Sequence, residues 1–257
     1  MRILLIRHGD PDYINDALTQ KGRREAKLLA DRMERETIDD FYVSPLGRAR
    51  QTASYTLERL GRTAQVKDWL QEFPAKLDVN DSPWLQAAYP DTRRENGRYA
   101  VRIAWDMLPA FWKDDPAYQT PDGWRNTEVA KHSDLNEAYD RVAAGMDELL
   151  AKYGYVREGN LYRTEKGTDA SVACFCHFGV TCVILSHLWH ISPFVLWHSL
   201  AMAPTSVTEV FTEERQKGMV SFRATRIGDL SHLYVGNEPP SFSARFCETY
   251  ENEEERH

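Results

Sequence analysis

The order of apolar patterns along this chain predicts an α/β fold: a three-layer α/β/α sandwich with a mostly parallel sheet and an antiparallel edge, carrying a helical cap insertion. Three observations support this. Ile3-Leu4-Leu5-Ile6 and Ser171-Val-Ala-Cys-Phe-Cys176 are unbroken apolar runs of strand length, the pattern of strands buried on both faces of a parallel sheet covered by helices. Apolar residues at helical spacing follow each run. Val207 to Thr212 and Val220 to Thr225 alternate in polarity instead, as antiparallel edge strands with one wet face do.

Taken in order, the first strand is followed by a polar loop and by Thr19, a candidate N-cap for a helix with Ala26, Leu29, Ala30 and Met33 on its buried face. Asp40-Phe-Tyr-Val43 reads as a second short strand. Ser44-Pro45 then leads into a helix over about 47–60, with Ala49, Ala53, Leu57 and Leu60 turned inward, which completes a βαβα unit. Gln65-Val66-Lys67 is a candidate third strand leading to Trp69 through Phe73. From about 74 to 167 this rhythm is lost, and aromatic residues and prolines become frequent, including Trp84, Trp105, Trp112 and Trp124. We read an insertion here, mostly helical, whose aromatics are mostly core with some lining a substrate pocket. Within it, Leu135 to Tyr153 reads as one helix, with Ala138, Val142, Met146, Leu149 and Leu150 suitably spaced to pack on the sheet. After the 171–176 strand, His177-Phe-Gly179 is a turn and Val180 to Trp189 a helix. The expected organisation is one domain over 1–247, with a core of 1–73 and 168–235, the insertion at about 74–167, and an acidic, solvated tail at 248–257.

Composition excludes several classes. With 42% hydrophobic and 28% charged residues in 257, 14 scattered Gly, 12 Pro and only four Cys, the chain is neither disordered, collagen-like nor a disulfide scaffold. A formal charge of -7 argues against broad adhesion to nucleic acid or to an anionic membrane, so an anionic ligand needs a local pocket. The most apolar stretch, Phe178 to Ala203, is interrupted by His187, His190, Pro193 and His198, and reads as a buried helix pair rather than a membrane span. The N-terminal apolar run is too short for a secretory signal, which makes the cytoplasm the expected location.

Candidate chemistry gathers at strand ends. His8 and His177 each follow a buried strand and precede a Gly-containing turn, where open α/β sheets place ligands. A lone strand-end His is as readily a core or capping residue, but Arg7 and Arg48 change the weighing. Arg7 adjoins His8, and Arg48 opens the helix after the neighbouring strand, so two guanidinium forks can surround an imidazole. That combination describes a phosphate site: arginines bind phosphate oxygens bidentately, a helix N-terminus adds oriented N–H groups, and a neutral imidazole nitrogen can attack phosphorus. Cys174, Cys176 and Cys182 lack a fourth converging ligand and read as core residues, and His187 with His190 has no partner carboxylate motif, so no metal site is expected.

Arg7-His8-Gly9, Ser44-Pro-Leu-Gly-Arg48-Ala-Arg-Gln-Thr52-Ala53 and Cys176-His177-Phe-Gly179, in this order and each after a predicted strand, resemble the histidine phosphatase (phosphoglycerate mutase-like) superfamily. The resemblance covers about 1–73 and 170–235, including Ile227-Gly-Asp-Leu-Ser-His-Leu233, and leaves the insertion unmatched. It implies that His8 is the nucleophile forming a phosphohistidine, that Arg7, Arg48 and His177 hold the phosphoryl group, and that no metal or other cofactor takes part. It also implies an acidic proton donor for the leaving oxygen, a place that Glu72 fits. The mutase-type continuation Gly-x-Trp-Glu-Gly is absent after Glu72, where Phe73-Pro74-Ala75 follows, so Asp10 beside the His-Gly turn is the alternative acid and a solvated surface Glu the plain reading of Glu72. The expected activity is metal-independent hydrolysis of phosphomonoesters, of the histidine acid phosphatase type, on a small phosphorylated metabolite. A phosphoglycerate-type phosphomutase is the alternative. A non-catalytic phosphoryl-binding module would show a damaged nucleophile or clamp, and none of these residues is missing.

Overall fold

Ile3, Leu4, Leu5 and Ile6 are all buried, on strand β1 (Arg2–Arg7). The computed structural model describes residues 1–73, 75–243, 249 and 251–252, so most of the acidic tail 248–257 lies outside the described residues. The described chain falls into two units, one of 1–72, 149–181 and 201–257, the other of 73–148 and 182–200.

The first unit is built on an eight-stranded sheet. Helix α1 (Gln20–Met33) follows β1, with Thr19 as N-cap, its Oγ1 accepting the Gly22 N–H at 3.0 Å. Strand β2 (Asp40–Val43), helix α2 (Gly47–Leu60) and the short exposed strand β3 (Gln65–Val66) complete the N-terminal part. Helix α3 (Leu135–Lys152) enters this unit only with its last turn, where the Lys152 ammonium donates to the Tyr42 hydroxyl at 2.9 Å. Strands β4 (Val156–Glu158), β5 (Leu161–Arg163) and β6 (Ser171–Cys176), the start of helix α4 (Phe178–Trp189), strands β7 (Val207–Gln216) and β8 (Met219–Asp229), and helix α5 (Ser231–Val235) complete the unit.

The strand order is β4-β5-β8-β7-β1-β6-β2-β3. β1, β6, β2 and β3 run parallel, while β7, β8, β5 and β4 continue the sheet by antiparallel pairing. All six residues of β6 are buried, as its unbroken apolar run requires between helix layers. One face carries Leu4 and Ile6 of β1, Phe41 and Val43 of β2, Ala173 and Phe175 of β6, and Val207 of β7, packed against Leu29 and Met33 of α1 and Ala53 of α2. The period of two in the strands and of 3.6 in the helices meets there in one core.

Two local readings change. Residues 156–163, read with the helical insertion, form β4 and β5 and widen the antiparallel side of the sheet to four strands. The two-residue loop Gly159-Asn160 between them is a hairpin connection. The ladder of β7 and β8 also runs beyond the alternating segments, to Gln216 and from Met219, because its outer end is solvated and needs no apolar face.

The second unit mixes helices with short ladders. Lys76–Leu77 pairs with Arg102–Ile103, and Arg94–Glu95 with Arg98–Tyr99. The latter hairpin turns on Asn96 and Gly97 at φ 50° and 80°, the left-handed pair that two-residue hairpins select. Helices Pro83–Ala88, Pro116–Gln119 and Glu128–Lys131 are capped by Ser82, Asp115 and Thr127. Trp112 and Trp124 are buried, Trp105 is half-buried and Trp84 is exposed. Tyr118 and Trp197 both pack edge-on against Phe194, with ring centroids 4.7 and 5.2 Å apart, respectively. The stretch 178–203 holds two helices, α4 and Pro193–Trp197. Among the described residues, no helix is long and apolar enough to cross a membrane.

Candidate active site

The parallel register of β1 and β6 pairs Arg7 with Cys176, so the next residues, His8 and His177, leave the sheet side by side. Their ring centroids are 5.0 Å apart, and the His8 N–H donates to the Cys176 carbonyl at 3.1 Å. β2 ends level with them: the Ser44 N–H donates to the Phe175 carbonyl at 2.9 Å, and α2 begins three residues later with Arg48 in its first turn. The three quoted segments therefore converge at the carboxyl ends of neighbouring parallel strands, where a doubly wound sheet leaves a crevice.

His8 is 1% exposed and its Nδ1 lies 2.7 Å from the Gly9 carbonyl oxygen. A carbonyl only accepts, so Nδ1 carries the hydrogen and Nε2 keeps its lone pair. Burial, and then the Arg7 charge, holds His8 well below its usual pKa, which makes the neutral ring the resident form. His177 is fully buried and likewise held well below the ordinary value, first by burial and then by His8, Arg48 and Arg7. Its Nε2 lies 2.8 Å from Ser44 Oγ, which also accepts the Leu46 N–H at 3.2 Å. The Ser44 oxygen has a second lone pair, so the contact suits either tautomer of His177, whose Nδ1 is buried without a hydrogen-bond partner.

Both arginines are buried and share one arrangement. Arg7 Nη1 donates to the Met202 carbonyl at 2.5 Å, and Arg48 Nη1 donates to Asp16 Oδ1 at 2.6 Å. In each, Nε is buried without a hydrogen-bond partner. Burial lowers the Arg7 pKa from its usual value. Two guanidinium edges, the unpartnered His177 Nδ1 and the His8 lone pair thus share one strand-end setting, a set able to receive a tetrahedral oxyanion and attack its centre.

The two candidate acids stand differently. Glu72 is half-buried, and its Oε1 accepts the Val180 N–H in the first turn of α4 at 3.3 Å. Its charge acts on Arg7 and on Cys176, so it belongs to the same electrostatic environment. Asp10 receives the Thr19 hydroxyl on Oδ2 at 2.6 Å and the Ser241 hydroxyl on Oδ1. Both Asp10 oxygens are engaged at the start of α1. Cys174, Cys176 and Cys182 are buried; burial lifts the Cys174 thiol well above its usual value and Cys176 to about 12, as inert core thiols behave.

Several contributors escaped the sequence reading. Ser44 and Thr52 stand in the second motif without an assigned role; Thr52 Oγ1 accepts the Gly9 N–H at 2.9 Å and donates to the Arg48 carbonyl at 2.8 Å, tying the turn after His8 to α2. Thr205 N–H donates to the His8 carbonyl at 3.0 Å, and the Ser206 carbonyl accepts the Arg7 N–H at 3.1 Å. Asp16 is half-exposed; its bonds from the Gly47 N–H and Arg48 outweigh burial and hold its carboxyl below the usual range. Only the position of Ser44 one residue past a strand was a local signal. Apart from the Thr52 bond to the Arg48 carbonyl four residues away, the others act across gaps of 30 or more residues.

Comparison with known proteins agrees with this geometry. Residues 3–95 match the model of the histidine phosphatase superfamily (branch 1), a span that includes Arg7, His8, Asp10, Arg48 and Glu72 and stops before His177. A probable phosphatase of Schizosaccharomyces pombe is 24% identical over 247 residues, covering 91% of this chain and 95% of that protein. Two solved structures share the fold. One is a mycobacterial glucosyl-3-phosphoglycerate phosphatase in complex with inorganic phosphate, with a TM-score of 0.57 at 18% identity over 90% of this chain and 98% of the other. The second is the Entamoeba histolytica phosphoserine phosphatase in complex with phosphoserine, with a TM-score of 0.55 at 15% identity over the same shares. The N-terminal span of this chain is thus similar to the histidine phosphatase superfamily, and its fold is shared with solved phosphatases.

Proposed function

We propose that this protein is a phosphomonoesterase that hydrolyses a small phosphorylated metabolite through a phosphohistidine on His8, without a metal ion. The observation that carries the reading is the neutral His8 ring, with Nδ1 bound to the Gly9 carbonyl and Nε2 left as the lone pair, set beside two arginines whose Nε groups are unpaired. In the first step Nε2 attacks phosphorus, the P–O ester bond breaks, and the leaving oxygen takes the proton of the Glu72 carboxyl. In the second, water attacks phosphorus, the P–N bond breaks, and the Glu72 carboxylate takes the water proton, returning His8 and Glu72 to their starting forms. Arg7, Arg48 and His177 stabilise the equatorial oxygens, the dominant requirement of phosphoryl transfer. The two guanidiniums supply the positive charge that a metal supplies in other phosphatases.

Glu72 is favoured over Asp10 as the acid because both Asp10 oxygens already accept hydroxyl hydrogens, whereas Glu72 acts on the phosphate-binding arginine. The similar proteins named above are phosphatases, which supports hydrolysis over mutase chemistry, and the mutase-type element after Glu72 is missing. A panel of phosphate esters assayed with and without EDTA tests the function directly. Turnover of at least one small ester, unchanged by chelator and abolished with phosphoenzyme formation in His8→Ala, is the expected result. Chelator-sensitive turnover restored by Zn²⁺ or Mg²⁺ overturns the metal-free reading, and full activity in His8→Ala overturns the phosphohistidine.

A further inference from the structure

Asp16, in the loop after the His8 turn, makes two bonds to the start of α2. Its Oδ2 accepts the Gly47 N–H and its Oδ1 the Arg48 Nη1, each at 2.6 Å. The backbones meet so closely that a Cβ on Gly47 would lie 2.2 Å from the Asp16 carbonyl oxygen. Asp16 itself sits at φ 46°, in the left-handed region that Asp tolerates better than most residues. Loop and helix are therefore locked together by a short carboxylate and a missing side chain.

The two arginines of the site show what this contact does. Arg7 is tethered through Nη1 to the Met202 carbonyl and Arg48 through Nη1 to Asp16, and in both the buried Nε has no partner. A guanidinium grips an oxyanion best through a pair of parallel N–H bonds. A tether on Nη1 leaves the Nε edge for that grip. Arg7 also has a side-chain hydrogen bond with Tyr13, whereas the tether of Arg48 is a charged side chain.

We propose that Asp16 is a positioning residue of the phosphatase: it anchors Arg48 through Nη1 so that the Nε edge of the guanidinium meets the phosphoryl oxygens. The proposal rests on the phosphatase function argued above. The opposing reading makes Asp16 a competing anion that occupies Arg48 and must be displaced by substrate. Exposure decides between them. The Asp16 side chain is 41% exposed, so its charge is screened by solvent, while its two short hydrogen bonds keep their directional effect.

The test compares Asp16→Ala, Asp16→Asn, Arg48→Ala and the Asp16→Ala/Arg48→Ala double variant. The readouts are kcat and KM for p-nitrophenyl phosphate, inorganic phosphate affinity by calorimetry, and Tm. Asp16→Ala is expected to lower kcat/KM about ten- to a hundredfold, the scale for a misplaced binding group, and to weaken phosphate binding. Asp16→Asn keeps one acceptor oxygen and the side-chain volume, loses less, and carries the test if Asp16→Ala does not fold. In the Arg48→Ala background, removal of Asp16 changes neither kcat/KM nor phosphate affinity more than about twofold, because no guanidinium remains to be anchored. Tighter phosphate binding in Asp16→Ala overturns the proposal in favour of a competing anion. A lowered Tm with unchanged kinetics overturns it in favour of a helix cap, and an equal loss with and without Arg48 shows action through the fold. If Arg48→Ala itself leaves turnover and phosphate affinity intact, the phosphatase reading falls. If Arg48→Ala is damaging and Asp16→Ala is harmless, only the role of Asp16 falls.

Discussion

Ser44 Oγ lies 2.8 Å from His177 Nε2 and also accepts the Leu46 N–H at 3.2 Å, so one hydroxyl joins the His177 ring to the segment that leads into α2. The contact holds the ring through Nε2, while Nδ1 is buried without a hydrogen-bond partner. Ser44→Ala removes a hydroxyl that is itself fully buried. We expect kcat/KM to fall about tenfold or more, the result of losing the contact that orients His177, and stability to fall by about 1–3 kcal/mol for the unsatisfied ring nitrogen. Steady-state kinetics and urea denaturation check both. Wild-type kcat/KM in a folded Ser44→Ala protein would remove Ser44 from the site.

Glu72 and Asp10 are separated by leaving-group chemistry. A general acid matters in proportion to the basicity of the departing oxygen. Glu72→Gln is expected to slow an alkyl phosphate by about 10²- to 10⁴-fold and p-nitrophenyl phosphate far less, while phosphohistidine still forms from the activated ester. Asp10→Asn is expected to slow both esters to a similar, smaller extent by loosening its bonds to Thr19 and Ser241. Reversal of these two patterns makes Asp10 the acid.

Glu25 supplies a pH signature of stability. Its side chain is fully buried in α1, and Oε2 accepts the Asp10 N–H at 2.9 Å. Burial lifts its pKa from 4.5 to about 7; the Asp10 N–H and Lys21 oppose the rise, and the Asp10 and Glu238 charges add to it. Below pH 4.5 the carboxyl is protonated folded and unfolded alike. Between 4.5 and about 7 the unfolded chain releases this proton while the fold retains it, so the contribution is lost as pH rises through that window, by at most about 3 kcal/mol. Urea denaturation of wild type and Glu25→Gln at several pH values should give curves that diverge across that window, with the wild type losing stability relative to the variant. Parallel curves refute the shifted carboxyl.

Gly97 tests the hairpin of the second unit. At φ 80° with nothing within 4 Å of an added Cβ, Gly97→Ala meets no clash and carries only the backbone penalty of a left-handed residue, about 1 kcal/mol. A fall in Tm of a few degrees is the expected result. An unchanged or raised Tm would show that this turn relaxes at no cost.

The local sequence carried the parts of this protein whose signals are short-range. The unbroken runs at Ile3 to Ile6 and Ser171 to Cys176 can be stable only between two covering layers, so they announced a parallel sheet, and the residues just past them announced a site. Asn96-Gly97 and Gly159-Asn160 were equally local hairpin signals, and the loss of helical rhythm in the insertion concealed them. What the sequence could not state was pairing. That β1 lies beside β6 in a register joining Arg7 to Cys176 depends on packing between segments 169 residues apart, and only that packing brings His8 within 5.0 Å of His177. The same reason hid Asp16, Thr52, Thr205 and Ser206. A hydrogen bond from a loop to a helix start leaves no periodicity in either segment, so tertiary structure alone decided which polar side chains hold Arg48 and the turn after His8 in place.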